Sequence, residues 1–298
     1  MKIGIIRFSA LGDIAASLPV LRALKYKPVI ITSPIGFELL KDEFEEFIIL
    51  NKKNILDVVK LIIKIRQYNF DYLIDLQTND RSKLICKASN AKNILNSKAV
   101  NKEQQVTKIF YDIAQQAKDN IINGLDTKYK QKEKKYIVIN CGSSPKWISK
   151  RLPHQKWQEI TEFLYNRYTL PFYLTGDASE VQYIQEVANY IQGEKVIIAG
   201  KTTIQELKSV LSNAYLTVST DSAPMHISAV QGTPTIGIFG STNWLRSAPF
   251  GPWSTVLYDE THYLNGITPM KNSKLIGNYY DNIKLKNGLD KISNYLGI

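Results

Sequence analysis

The residues best suited to chemistry lie in the stretch Ser219-Thr220-Asp221-Ser222-Ala223-Pro224-Met225-His226. An apolar run, residues 214–218, breaks there into small and polar residues, and Pro224 precedes a new apolar segment at 227–230. That order predicts a strand, a tight turn and a helix N-terminus. The first N–H groups of a helix lack internal partners and carry the positive end of its dipole, so the junction suits a diphosphate. Asp221 and Ser222 add short side chains that either cap the helix or hold a ribose hydroxyl. A plain N-cap is the competing role, since Asp and Ser are common there in any α/β protein.

A second junction of the same kind opens the chain. Residues 2–6 form a short apolar run that predicts a buried strand, and residues 14–25 carry helical apolar spacing. Pro19 falls inside that spacing and predicts a kink or a helix that starts anew at Leu18. Between the two runs, Gly12 permits a tight turn or a close approach to a ligand. Asp13 falls beyond the carboxyl end of the first strand, where open α/β sheets place their ligands. No G-x-G-x-x-G occurs, which disfavours a dinucleotide-binding dehydrogenase.

Four blocks together carry a family likeness. Ile5-Ile6-Arg7-Phe8-Ser9-Ala10-Leu11-Gly12-Asp13, followed by Leu18-Pro19-Val20-Leu21-Arg22-Ala23-Leu24, resembles the opening of the bacterial lipopolysaccharide heptosyltransferases, glycosyltransferase family 9. Asp221-Ser222-Ala223-Pro224-Met225-His226, then Gly232-Thr233-Pro234 and Ile238-Phe239-Gly240-Ser241-Thr242, resembles that family's nucleotide-binding segment. Gly142-Ser143-Ser144 with Lys150-Arg151-Leu152-Pro153 and Trp157 is similar to a third block, and Asp75-Leu76-Gln77 with Arg81-Ser82 to a fourth. The blocks follow one another in family order.

The resemblance implies an α/β chain of GT-B architecture, two doubly wound, Rossmann-like parallel-sheet domains facing a cleft. It implies an inverting transfer of heptose from ADP-heptose to the Kdo/heptose inner core of lipopolysaccharide or lipooligosaccharide, with Asp13 as the base. Donor contacts are expected from Ser143, Ser144, Lys150, Glu180, Asp221, Ser222, Ala223, Pro224, Met225, His226 and Thr242, and acceptor contacts from Gly12, Arg81 and Lys83. Lys150 and a helix N-terminus can stabilise the leaving diphosphate as a metal does elsewhere, so metal-independent transfer with no cofactor beyond the donor is expected. Plainer roles compete at several positions. Asp13 can be an N-cap, Glu180 an ordinary first-turn Glu, His226 a histidine satisfied within its loop, and Arg151 either a phosphate ligand or the partner of a surface carboxylate. The four Trp residues are read as packing residues.

The chain departs from the family pattern at three places. Ala223 stands where Gly is usual, Asn140 replaces a small residue or His before the Gly-Ser-Ser turn, and the tail after Gly251 lacks family landmarks. Two other classes stay in view. A nucleotide-sugar epimerase or hydrolase of the same fold would keep the donor residues, as would a family 9 transferase using another sugar. A nucleic-acid module would use the basic first half, yet no RNA- or DNA-binding motif appears.

Composition sets the frame for these residues. At 298 residues with 44% hydrophobic content the chain can build two cores. The pattern predicts an acceptor domain over 1–134 and a donor domain over 135–298, joined by the lysine-rich run 126–135. The closing segment, 289–296, is expected to be a helix packing back on the first domain. The net charge of +11 concentrates in the first half, where residues 1–134 hold 23 Lys/Arg against 15 Asp/Glu. That balance suits an anionic glycolipid acceptor and peripheral contact with the inner-membrane surface; nucleic acid is not expected as a partner. No apolar run reaches the ~18 residues of a membrane span, and no signal peptide is evident. Cys86 and Cys141 are expected as reduced thiols in a cytoplasmic protein, and three His without Cys/His clustering make a zinc site unexpected.

Overall fold

Short apolar runs without polar alternation require burial on both faces, which a parallel sheet flanked by helices supplies. The computed structural model describes residues 1–262 and 279–297, and these divide into two compact units, Met1–Asp126 and Thr127–Ile298. The first unit runs β1 (Ile3–Ile6), α1 (Leu11–Ala23), β2 (Val29–Thr32), α2 (Pro34–Leu40), β3 (Phe47–Ile49), α3 (Ile55–Tyr68), β4 (Tyr72–Asp75), α4 (Asp80–Ala88), β5 (Asn93–Leu95) and α5 (Val106–Gln115). Its five strands are parallel in the order β3-β2-β1-β4-β5. Strands are added outward from β1 in one direction through β3, then in the other through β4 and β5. The reversal between β1 and β4 is the switch point at which open α/β sheets bind ligands.

Pro19 does not break α1, which runs unbroken from Leu11 to Ala23. Every residue from Ile14 to Leu21 is buried, and α1 packs on both α5 and α2. Burial of this stretch against its neighbours keeps the helix continuous through a residue that lacks the N–H for one of its bonds. On the other sheet face, Val58, Leu61 and Ile65 of α3 and Ile85 of α4 pack with Ile6, Ile31 and Leu73.

The second unit runs β6 (Ile137–Asn140), α6 (His154–Tyr168), β7 (Phe172–Leu174), α7 (Val181–Ala188), β8 (Lys195–Ile197), α8 (Ile204–Asn213), β9 (Leu216–Thr220), α9 (Ala223–Val230), β10 (Thr235–Phe239), α10 (Trp244–Ser247), β11 (Ser254–Tyr258), α11 (Leu285–Lys291) and α12 (Ser293–Leu296). Its six strands are parallel in the order β11-β10-β9-β6-β7-β8. That is the doubly wound order, and its switch point lies between β6 and β9. Both units thus have the doubly wound α/β architecture expected.

Two boundaries differ from the expectation. The units divide at 126/127 instead of 134/135, because the lysine-rich run already belongs to the second unit. The Tyr129 hydroxyl donates to the Tyr295 carbonyl, and Lys132 Nζ donates to the carbonyls of Ser212 (2.8 Å) and Gln231 (3.1 Å). The closing helices also belong to the second unit, not to the first. Leu285, Leu289, Ile292 and Leu296 are buried in its core, and the buried Tyr215 hydroxyl donates to the Leu296 carbonyl at 2.7 Å. The edge strand β11 supplies the reason, since apolar Leu257 needs cover and α11 lies across it. Replacing Leu289 by Ala is therefore expected to cost about 2–4 kcal/mol. Denaturant unfolding followed in the second unit should show it, with the first unit's transition unmoved.

Candidate functional site

The register of β6 and β9 brings two chain exits to one edge of the second sheet. Asn140, the last residue of β6, stands opposite Ser219 of β9. Beyond β6 the chain passes through Gly142-Ser143-Ser144 into a short 3₁₀ segment, Pro145–Lys150; beyond β9 it passes through Asp221-Ser222 into α9. Lys150 returns across the gap. Its Nζ lies 3.0 Å from Asp221 Oδ2, donates to the Asp221 carbonyl at 2.9 Å and sits 5.2 Å from the centre of the Trp147 ring. Asp221 is therefore not the N-cap of α9, and Trp147 does more than fill space.

Asn140 is the hub beneath this pair. It is almost completely buried, and its Nδ2 donates to the hydroxyls of Ser222 (2.7 Å), Ser219 (3.1 Å) and Thr220 (3.4 Å). Thr220 Oγ1 in turn donates to the Gly142 carbonyl at 2.7 Å, which ties the two exits together. Ser222 occupies the N-cap position of α9 but makes no capping bond, because its hydroxyl is drawn into the Asn140 network. The opening N–H groups of α9 thus lack a side-chain cap, while Pro224 in the first turn has no N–H to satisfy. Ala223 enters the helix with ordinary helical backbone, so the absence of the usual Gly removes no left-handed turn.

Glu180 occupies the neighbouring exit. It follows β7, is buried, and accepts the Asp177 N–H through Oε2 at 2.8 Å in a capping box. Its carboxyl group lies against two glycines. A Cβ on Gly142 would come within 2.9 Å of the Glu180 carboxyl carbon, and one on Gly176 within 2.8 Å of Oε2. Burial raises the Glu180 pKa above the ordinary carboxyl value, with the Asp177 N–H and the Arg151 charge pulling the other way. Among the described residues Arg151 pairs with no surface carboxylate. It donates to the Ser143 carbonyl (2.7 Å from Nη2) and stacks over Tyr183 at 4.4 Å.

Other expected donor residues fall into two groups. Thr242 follows β10 beside this edge, and His226 is buried in the first helical turn of α9. Ser144 is exposed at the head of the 3₁₀ segment. Met225 is placed differently: it is fully buried with its sulfur against Gly237, so its side chain packs the core beneath β10. The Ser143 hydroxyl is likewise occupied, donating to the Trp147 carbonyl at 2.7 Å, which leaves it to shape the turn. The 3₁₀ segment is fastened from the far side by Ser241 of the 238–242 block and by Tyr280, which carries no local sequence signal. Ser241 Oγ donates to Ser149 Oγ at 2.8 Å, and the Tyr280 hydroxyl, packed against Gly240, donates to the Ser149 carbonyl at 3.0 Å.

The first unit holds the remaining expected residues at its own switch point. Asp13 lies in the first turn of α1, with Gly12 just before it, and its Oδ2 is 2.6 Å from Arg7 Nη2. Arg7 is buried, donates to the Leu76 carbonyl and lies 5.1 Å from the Phe110 ring centre. Gln77 Oε1 accepts from the N–H groups of Phe8 (2.8 Å) and Ser9 (3.1 Å), joining the exits of β4 and β1. Arg81 and Lys83 ride on the first turn of α4 at the same sheet edge; Lys83 is exposed and 3.1 Å from Asp80. Burial pushes the thiols of Cys86 and Cys141 up to about 12, so neither is a nucleophile at neutral pH. Among the described residues no helix is long and apolar enough to cross a membrane, and no three His, Cys, Asp or Glu side chains gather as metal ligands.

Two outcomes follow from this arrangement. Replacing Asn140 by Ala strips the buried Ser219 and Thr220 hydroxyls and the partly buried Ser222 hydroxyl of their shared donor, and a loss of about 1–3 kcal/mol is expected in the denaturant unfolding of the second unit. Glu180 holds its proton more tightly folded than unfolded, so its contribution is present at low pH. That contribution is lost as pH rises from the ordinary value of 4.5 through the raised folded one. Glu180→Gln should flatten the stability–pH curve across that window, and an unchanged slope would rule the group out.

Comparison with known proteins identifies the family and the fold. The sequence model of glycosyltransferase family 9 (heptosyltransferase) matches residues 90–265. The lipopolysaccharide heptosyltransferase 1 of Campylobacter coli is 26% identical over 301 residues, covering 83% of this chain and 86% of that protein. The lipopolysaccharide core heptosyltransferase OpsX of Haemophilus influenzae is 35% identical over 83 residues; that match covers 27% of this chain and only 24% of the relative's length. Among solved structures, the ADP-heptose LPS heptosyltransferase II of E. coli superposes with a TM-score of 0.71 at 18% identity, over 99% of this chain and 98% of that one. The parallel two-unit fold is therefore shared with a GT-B heptosyltransferase, and with the family match spanning more than half of its length, the chain belongs to glycosyltransferase family 9, the heptosyltransferases.

Proposed function

We propose that this protein transfers a heptose from ADP-heptose to the Kdo/heptose inner core of a lipopolysaccharide or lipooligosaccharide, by one inverting displacement that needs no metal. The observation that carries it is Lys150, held by Asp221 beside a helix N-terminus whose N-cap Ser222 makes no capping bond. A cation next to a helix N-terminus whose N-cap makes no capping bond suits a diphosphate, and an incoming one offers Nζ oxygens that compete with the Asp221 carboxylate. The same groups stabilise the charge that develops as the diphosphate leaves, which supports a reaction without a metal. Heptosyltransferase names among the relatives supply the sugar, and the name of the E. coli structure supplies the ADP-heptose donor.

In this reaction the acceptor hydroxyl oxygen bonds to the anomeric carbon, the bond from that carbon to the diphosphate oxygen breaks with its electron pair, and ADP departs. The hydroxyl proton passes to Asp13, whose carboxylate is oriented by buried Arg7. Arg81 and Lys83, at the same edge of the first sheet, meet the anionic acceptor. A nucleotide-sugar donor places the reaction in the cytoplasm, at the inner-membrane face where the lipid acceptor is presented.

Transfer from ADP-heptose to a Kdo–lipid A acceptor, read by mass spectrometry with EDTA present, tests this. Wild type should give product, and Asp13→Asn should lower the rate by about 10²–10⁴-fold with ADP binding retained. Product only after a divalent cation is restored would overturn the metal-free mechanism. No product, and no rise in melting temperature with ADP, would overturn the donor assignment.

A further inference from the structure

The outer face of α3 is unlike the rest of the first unit's surface. Its inner face is accounted for by Val58, Leu61 and Ile65, all buried in the core. On the solvent side Ile55 is 81% exposed, Leu56 73%, Ile63 54% and Val59 47%. Positions 55, 59 and 63 recur every four residues and Leu56 lies beside them, so these side chains form one apolar stripe along the helix. Single exposed apolar residues are ordinary; four on one helix face are not.

Basic residues border the stripe. Lys60 and Lys64 follow it along the helix, while Lys52 and Lys53 precede its first turn, and all four are exposed. Among the described residues none of these four forms an ion pair. Asp57, the acidic residue of α3, is partly buried at the Asn54 cap, where its N–H donates to Asn54 Oδ1. Apolar side chains bordered by flexible lysines are the composition of a helix that lies in a lipid interface. The stripe enters the acyl boundary, and the lysine stems reach outward so that their ammonium groups meet phosphate. A protein partner with a matching apolar patch would have no need of the lysines; a second copy would set lysine against lysine.

We infer that the outer face of α3 docks the protein on an anionic lipid bilayer, with Ile55, Leu56, Val59 and Ile63 entering the interface and the neighbouring lysines engaging phosphate headgroups. The choice of a bilayer rests on the proposed lipid-anchored acceptor, which would be met at such a surface. Two-dimensional confinement of enzyme and acceptor then replaces a search through solution, and the basic excess of the first unit adds to the attraction without needing base-specific or sugar-specific contacts.

The test is co-sedimentation of the full chain with vesicles of phosphatidylglycerol and phosphatidylethanolamine, beside vesicles of phosphatidylcholine alone. Wild type should partition at least about tenfold more strongly to the anionic vesicles, and less so as salt is raised. Leu56→Ser/Ile63→Ser and Lys60→Glu/Lys64→Glu should each reduce that partitioning about tenfold or more, with circular dichroism and unfolding unchanged because the altered side chains lie in solvent. Transfer to a deacylated, soluble acceptor should be the same in the variants as in wild type, so that failure of the chemistry is seen separately from failure of docking. Vesicle binding lost in both variants sustains the docking face whether or not transfer is detected. Wild type that ignores anionic vesicles, or variants that bind them as well as wild type, would overturn it. So would a wild-type dimer, seen by sedimentation velocity, that the Leu56→Ser/Ile63→Ser variant dissociates.

Discussion

With Asn140 set opposite Ser219, the chain leaving β6 and the chain leaving β9 emerge side by side and then part, at the point where the strand order reverses. Strands on one side of this pair are added leftward and on the other side rightward, so the loops and helices that follow diverge. Everything at the second unit's site answers to that divergence. The Gly142-Ser143-Ser144 turn, the uncapped opening of α9, and the return of Lys150 to Asp221 are ways of closing a gap that the winding of the sheet creates. The first unit repeats the constraint between β1 and β4, and Arg7, Asp13 and Gln77 occupy it.

Such an edge must hold polar groups in a region where the strands themselves are fully buried, and buried polar groups need partners. The second unit meets this by assigning each group more than one task. Asn140 supplies the donor that three hydroxyls share, Thr220 passes a bond on to the Gly142 carbonyl, and Arg151 takes the Ser143 carbonyl while lying over Tyr183. One consequence is chemical. Because Ser222 is committed to Asn140, it cannot cap α9, and the helix keeps its opening dipole for a ligand. The framework that satisfies the protein is the one that leaves this donor set open.

Much of this was legible in the chain because local rules and the global fold agree. The runs at 3–6, 137–139 and 236–239 are apolar throughout, and they lie in buried strands of parallel sheets. Asp13 and Asp221 stand out in the sequence because each falls just beyond a strand in a stretch that packing does not explain, and Lys150 because it follows the Gly142-Ser143-Ser144 turn. What escaped is what depends on long-range contact. Lys150 reaches Asp221 across 71 positions, and Tyr280 reaches Ser149 across 131, so neither pairing has a local signal. The direction of the Met225 side chain has no local signal either: a residue in the first turn of a helix points outward or to the core according to its rotation, and Gly237 opens a place for this side chain in the core. Asn140 is marked in the sequence as a departure from the family pattern and as a polar side chain closing an apolar run, but its three hydroxyl partners depend on the pairing of β6 with β9.

The first unit shows how far the chemistry reaches into the core. Asp75 is buried at the end of β4, and burial raises its pKa while the bonds it accepts from Thr78, Ser82 and Gln77 pull it down. Those bonds give the 75–82 turn its shape, and that shape aims Gln77 at the N–H groups of Phe8 and Ser9. These two residues lead directly into the turn before Asp13. From the other side, Phe110 of α5 supports the Arg7 guanidinium that meets the Asp13 carboxylate. The orientation of one half-exposed carboxylate is thus set by a buried carboxylate, a buried cation and an aromatic ring on three different elements. An acidic side chain on a free helix end would sample several rotamers and lose them on binding substrate. Here that ordering is completed when the domain folds, so the Asp13 carboxylate is presented in one orientation beside Arg7.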